Sequence, residues 1–119
     1  GNLTFVEEGK HLPFGIARVY WTYDVPAGEE RGSHSHHVAE ELIIATSGSF
    51  NVNLFDGCKT ETYALNRPYE GLYVPPGYWR TLDNFSSGSV CMVLTSIPYS
   101  EDDYVRDYDE FIRLATQTE

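Results

Sequence analysis

The stretch Gly28-Glu-Glu-Arg-Gly-Ser-His34-Ser-His36-His-Val-Ala-Glu-Glu41-Leu-Ile-Ile-Ala-Thr-Ser-Gly48 decides the reading of this chain. In an extended strand, residues two apart share a face at roughly 6.5–7 Å between Cα atoms. His34 and His36 therefore send two imidazoles into one space, while His37 belongs to the opposite face. Glu41 then opens an apolar run to Thr46 that reads as a core strand.

On either side, turn signals recur at short intervals: Pro26-Ala-Gly28, Gly48-Ser49, Asp56-Gly57, Asn66-Arg-Pro68, Pro75-Pro-Gly77 and Ser86-Ser-Gly88. Only strands fit between turns so close together. The runs Ile16 to Asp24, Glu41 to Thr46, Phe50 to Phe55, Thr60 to Leu65, Gly71 to Val74, Trp79 to Asp83 and Val90 to Ile97 are rich in Val, Ile, Tyr, Phe or Thr. Asp56-Gly57 between two alternating runs predicts a hairpin, since both residues tolerate the positive φ of a tight turn. Near the end, Ser100 followed by Glu101, Asp102 and Asp103 reads as a helix N-terminus. Tyr104, Tyr108, Phe111, Ile112 and Leu114 then supply an apolar face for a short C-terminal helix lying on the barrel or on a partner. Many short antiparallel strands ending in one helix predict a small all-β barrel or jelly roll.

The chain has 119 residues with 41% hydrophobic content, enough for one core, and residues 1–119 read as a single domain. The longest apolar run, Leu42-Ile43-Ile44-Ala45, is far short of the roughly 20 residues of a membrane span, and residues 1–20 do not read as a charged n-region followed by an apolar h-region. A cytoplasmic protein is expected. Eighteen acidic against eight basic side chains give a net charge of −10, which repels phosphate backbones and sets nucleic acid aside as a partner. Cys58 and Cys91 have no CxxC spacing and read as free thiols.

The spacing carries more than the composition does. Gly28, five residues, His34-x-His36, four residues, Glu41, six residues and Gly48 match the first cupin motif. Pro75-x-Gly77, then Arg80 and Asn84, resemble the second, with arginine where metal-binding cupins have histidine. Two chemistries are open. His34, His36 and Glu41 form the ligand set of a facial triad for one divalent ion, although Arg80 would oppose its charge. Alternatively, without metal, one histidine removes a proton beside a carbonyl and the other relays or returns it.

Across essentially its whole length the chain resembles the sugar-nucleotide 3,4-ketoisomerases, small WxcM-like cupins that act on dTDP-4-keto-6-deoxyglucose in deoxysugar synthesis for surface polysaccharides. The resemblance is carried by Gly1-Asn-Leu-Thr-Phe-Val-Glu-Glu, Pro13-Phe14, Arg18-Val-Tyr20, Arg31-Gly-Ser-His-Ser-His36, Gly48-Ser49, Asp56-Gly57, Gly71-Leu-Tyr-Val-Pro75, Trp79, Asn84-Phe-Ser86 and Asp102-Asp-Tyr-Val-Arg-Asp-Tyr-Asp-Glu-Phe111. It implies isomerisation without a metal or other cofactor. His34 would take the C3 proton, an enediol would form, and His36 would assist as proton shuttle during reprotonation at C4. Arg31 or Arg80 would stabilise the developing enolate or hold the diphosphate, and Tyr20 and Trp79 match positions that line the pocket. The resemblance also implies a homodimer with N-terminal strands packed across the interface. Family chains usually begin before the position of Gly1, which leaves open whether an N-terminal strand is truncated here.

The departures from the family pattern fall in or near the expected pocket. Glu41 stands where Gln is common, Arg80-Thr81 where His-Glu is common, and His37 where lysine or arginine is usual. Glu41 restores a cupin metal ligand and, without metal, would favour protonated imidazoles. Arg80 would offset it by pairing with it. The readings to separate are a metal-independent isomerase, a metal-dependent cupin enzyme using His34, His36 and Glu41, and a sugar-nucleotide binding module without turnover.

Overall fold

A computed structural model describes residues 1–117 and shows two antiparallel sheets facing each other. The strands are β1 (Arg18–Tyr23), β2 (Arg31–His36), β3 (Glu41–Ser47), β4 (Phe50–Phe55), β5 (Thr60–Leu65), β6 (Gly71–Val74), β7 (Trp79–Asp83), β8 (Val90–Thr95) and β9 (Tyr104–Val105), followed by helix α1 (Tyr108–Ala115). One sheet runs β1-β8-β3-β6 and the other β5-β4-β7-β2-β9. This is the predicted jelly roll.

Two-residue periodicity sorts the side chains. On β4, Phe50, Val52 and Leu54 are buried, and the strand's register places Val52 opposite Leu82 and Leu54 opposite Arg80 on β7. Ile43, Ala45, Val93 and Cys91 come from the other sheet to complete the core between the layers. A smaller cluster, Leu12, Phe14, Leu42, Ile44 and Leu94, shows residues preceding β1 packing over the outer face of the first sheet. That segment is tied down where the Glu8 side chain accepts from the Ile16 amide at 2.6 Å.

Strands β4 to β7 have the predicted bounds, and the Asp56-Gly57 hairpin is present with Phe55 opposite Thr60. Only Gly57 of the pair has a positive φ, 101°. Asp56 instead accepts from the amides of Cys58 and Lys59 at 2.8 and 2.9 Å, closing the turn through its side chain.

The C-terminal reading needs correction. Ser100 makes no side-chain cap, residues Glu101–Asp103 form a single 3-10 turn, and Tyr104 lies on β9 opposite His36 rather than on a helix. The helix begins after Asp107, whose carboxylate caps the Asp109 amide at 3.0 Å. Backbone pairing with the β2 edge takes Tyr104 and Val105 out of the helical pattern, and α1 packs Phe111 against Trp79 and Val105. Among the described residues, no helix is long and apolar enough to cross a membrane.

Candidate active site

The two sheets enclose a cavity of about 510 Å³ at one end of the roll. Its wall carries Arg18, Tyr20 and Thr22 from β1, Cys91 and Val93 from β8, Arg31 and His34 from β2, and Arg80 and Leu82 from β7. Tyr99, Tyr104 and Arg106 close it from the C-terminal side.

A β-bulge brings Arg31 and His34 to the same cavity. Arg31 pairs with Leu82 and His34 with Arg80, so three steps along β2 match two along β7. Simple alternation would have put them on opposite faces. Gly32 makes the bulge possible: its φ is 71°, and a Cβ there would meet Leu82 at 3.0 Å.

At the base of the cavity Arg80 organises the polar groups. Its Nε and Nη2 lie 3.1 and 2.9 Å from His34 Nε2, its Nη2 donates to the Tyr20 hydroxyl at 3.1 Å, and its Nη1 lies 2.9 Å from Glu41 Oε1. The last is a close charge contact, the two atoms being too poorly aligned for a hydrogen bond. The Tyr20 hydroxyl in turn donates to Glu41 Oε2 at 3.3 Å. Since Nε2 of His34 accepts from Arg80, the ring carries its proton on Nδ1. Burial, reinforced by the Arg80 charge and by His36, lowers the His34 pKa to about 2, so the ring is a neutral imidazole at any ordinary pH. Burial works against the Arg80 charge too, but Glu41 and Tyr20 outweigh it and raise its pKa. Burial pushes Tyr20 up to about 12 and Cys91 to about 12, leaving both protonated.

His36 stands behind His34, the ring centroids 4.9 Å apart and nearly perpendicular. Tyr104 packs on both rings, at 4.8 Å from His34 and 4.5 Å from His36. Nδ1 of His36 lies 3.0 Å from Asp103 Oδ2, and Nε2 lies 3.6 Å from Glu41 Oε2. Burial lowers the His36 pKa, with Glu41 and Asp103 pulling the other way.

Of the residues singled out in the sequence, His34, His36, Glu41, Arg80 and Tyr20 converge, and Arg31 lines the same cavity. Trp79 does not. It pairs with Phe55 on the outward face of its sheet and is buried under α1 against Phe111 and Tyr108. Because Arg80 points inward, its neighbour on the strand must point outward. His37 is exposed, as expected, and His11 is a surface residue whose Nδ1 accepts from the Glu7 amide at 3.1 Å. Arg18, Tyr99, Asp103, Tyr104 and Arg106 join the site without having been expected there from the sequence. All except Tyr99 belong to segments quoted for the family resemblance.

The ligand set proposed for a divalent ion does not fit one in this arrangement. Among the described residues, no three His, Cys, Asp or Glu side chains converge in a metal-binding geometry. The Arg80 guanidinium instead contacts both His34 Nε2 and the Glu41 carboxylate, the atoms a dication would need.

A jelly roll with paired histidines on β2 above an inward-facing carboxylate defines a cupin-type protein. The model of the family FdtA: WxcM-like, C-terminal, matches residues 1–116, and the chain belongs to that family. It is 43% identical over 111 residues, 93% of this chain and 80% of the relative, to the TDP-4-oxo-6-deoxy-alpha-D-glucose-3,4-oxoisomerase of Aneurinibacillus thermoaerophilus. Among solved structures it resembles a 3,4-ketoisomerase from Helicobacter canadensis, with 40% identity, TM-score 0.95 and coverage of 98% of this chain and 87% of that one. It also resembles a mutant of the 3,4-ketoisomerase QdtA from Thermoanaerobacterium thermosaccharolyticum in complex with TDP-4-keto-6-deoxyglucose, with 36% identity, TM-score 0.97 and coverage of 99% and 86%.

Proposed function

We propose that this protein interconverts the 4-keto and 3-keto forms of a TDP-linked 6-deoxyhexose, a step in deoxysugar biosynthesis. The observation that carries the reading is His34, a neutral imidazole in the cavity wall with a guanidinium at its Nε2. The relatives named above carry the activity in their names.

The residues supply what the reaction needs. A C3 proton is acidified by the C4 carbonyl, and its removal by His34 pushes the electron pair into a C3–C4 double bond and negative charge onto the carbonyl oxygen. Arg80 is the donor for that oxygen. When the guanidinium turns from His34 Nε2 to the substrate oxygen, it frees the lone pair that takes the proton and stabilises the charge that results. The charged oxygen on C4 takes a proton to give the enediol, the 3-hydroxyl gives up its proton as C3 becomes the carbonyl, and C4 receives the proton that left C3, with His36 completing the relay from behind His34. No step calls on a metal ion.

Charge supports the choice of ligand. In a chain of net charge −10, the cavity wall gathers Arg18, Arg31, Arg80 and Arg106. Glu101 holds Arg106 through two hydrogen bonds of 2.6 and 2.9 Å. Arg18 sits over the rings of Tyr20 and Tyr99, and its buried Nε has no hydrogen-bond partner among the described residues. Arg18 and Arg31 are therefore the donors for the diphosphate, with Tyr99 offering a ring for the base or sugar.

The enzyme works as a homodimer in the cytoplasm. Val19, Trp21 and Tyr23 form an exposed apolar row on the outer face of β1, a surface that a second copy would cover. Cys58 and Cys91 are both free, which suits a reducing compartment.

The deciding experiment is proton NMR in D2O with dTDP-4-keto-6-deoxyglucose, with and without chelator. Chelator-insensitive C3 exchange and appearance of a 3-keto sugar are the expected result. Exchange lost on chelation would restore the metal reading, and binding without exchange would leave a binding module.

A further inference from the structure

We infer that Asp103 is a positioning residue for His36, its carboxylate fixing the ring proton on Nδ1 and turning Nε2 toward Glu41 as the nitrogen left free to exchange protons. The inference deepens the isomerase reading and rests on it.

Asp103 is buried, 7% exposed, in the short turn before β9, 67 positions from the histidine it contacts. Its Oδ1 accepts from the Val38 amide at 2.7 Å, and Oδ2 accepts from the Ala39 amide at 3.1 Å and lies 3.0 Å from His36 Nδ1. Its carbonyl oxygen also accepts from the His37 amide at 2.9 Å. The carboxylate is therefore locked by the turn between β2 and β3 before it meets the ring. A carboxylate offers only lone pairs, so the hydrogen bond to His36 forms when Nδ1 bears the proton. The ring is then held in one tautomer and one orientation.

The consequence falls on Nε2. That nitrogen is buried, has no hydrogen-bond partner among the described residues, and faces Glu41 Oε2 at 3.6 Å. A lone pair directed at a carboxylate is poorly satisfied, whereas a proton arriving there is flanked by Glu41 on one side of the ring and Asp103 on the other. Burial outweighs the two carboxylates and lowers the ring's pKa, which disfavours keeping the proton. A relay needs such an atom, ready to accept and unable to keep. Without Asp103 the ring could turn over or place its resting proton on Nε2, and the relay would be blocked at that nitrogen.

The test separates this role from the turn that the same carboxylate holds. In protein labelled with nitrogen-15 in its histidine rings, two-bond proton–nitrogen spectra report the tautomer of His36 without substrate; His36→Asn assigns the signals. The wild-type ring should carry its proton on Nδ1. Asp103→Ala should lose that preference and lower kcat on the order of a hundredfold with KM little changed. Asp103→Ser, whose hydroxyl stays near the Val38 and Ala39 amides but falls short of Nδ1, should do the same and carries the test if the alanine variant fails to fold. A wild-type Nε2–H tautomer, an Nδ1–H tautomer kept in the variants, or a changed tautomer with unchanged kcat would each overturn the inference. Because the tautomer is read without substrate, wild-type protein that shows the Nδ1–H ring but no turnover would count against the isomerase reading and leave the role of Asp103 in holding the ring intact.

Discussion

Arg80 and Glu41 form an ion pair inside the barrel, Nη1 to Oε1 at 2.9 Å, with side chains 4% and 1% exposed. Removing both charges from water is expensive, and the pair is tolerated because each partner has further contacts: Arg80 with His34 and Tyr20, Glu41 with Tyr20. Glu41 and Arg80, noted in the sequence as departures from the family pattern, are thus two halves of one contact.

Breaking the pair at Glu41 should cost stability more than chemistry. Glu41→Gln leaves a buried guanidinium without its counter-charge and is expected to destabilise by about 3 kcal/mol in urea titration. Glu41→Gln with Arg80→His should cost less than the sum of the single changes. Turnover of the Glu41→Gln variant should persist at a reduced rate, since the amide oxygen still accepts from Tyr20 while the charge beside His36 Nε2 is lost.

His34→Asn should abolish C3 exchange, lowering it by about 10² to 10⁴. TDP affinity, measured by calorimetry, should remain because the arginines proposed for the diphosphate are elsewhere on the wall. Equal loss of both would remove His34 from the role of base.

Stability should rise with pH up to the ordinary histidine range. His34 titrates at about 2 in the folded chain but near its usual value when unfolded, so between those values the unfolded state binds the extra proton. The slope contributed by one such group is about 1.4 kcal/mol per pH unit, and His36, also lowered, adds in the same direction. Thermal or urea melts from pH 4 to 8 should flatten above about pH 6.5, and His34→Asn should reduce the slope below it.

Trp79→Ala should behave as a core deletion rather than a pocket change. Loss of about 3–5 kcal/mol is expected, with KM unaltered in whatever fraction folds. A selective rise in KM would place the indole back at the substrate.

The strands were legible because turn residues bracket them, and His34 and His36 because alternation puts both on one face. The same alternation, applied to Trp79 and Arg80, separates them, and a resemblance that assigned both to one pocket passed over it. The bulge was signalled only by Gly32, and Arg31 reaches the cavity through it. Asp103 carried no local signal, since its role depends on a turn 64 to 67 positions away. The C-terminal helix was misplaced at its start because Tyr104 fits an apolar helical stripe as well as a strand; only pairing with His36 decides between them.

That pairing also orders events in time. On a ribosome the chain emerges from its first residue, so both histidines, the carboxylate of Glu41 and the guanidinium of Arg80 are synthesised before the segment that steadies His36. Until that segment is made, His36 has no carboxylate at its Nδ1. Competence waits for the segment that carries Asp103, and a product cut short before it would hold both histidines without the carboxylate that steadies one of them and without the helix that covers Trp79.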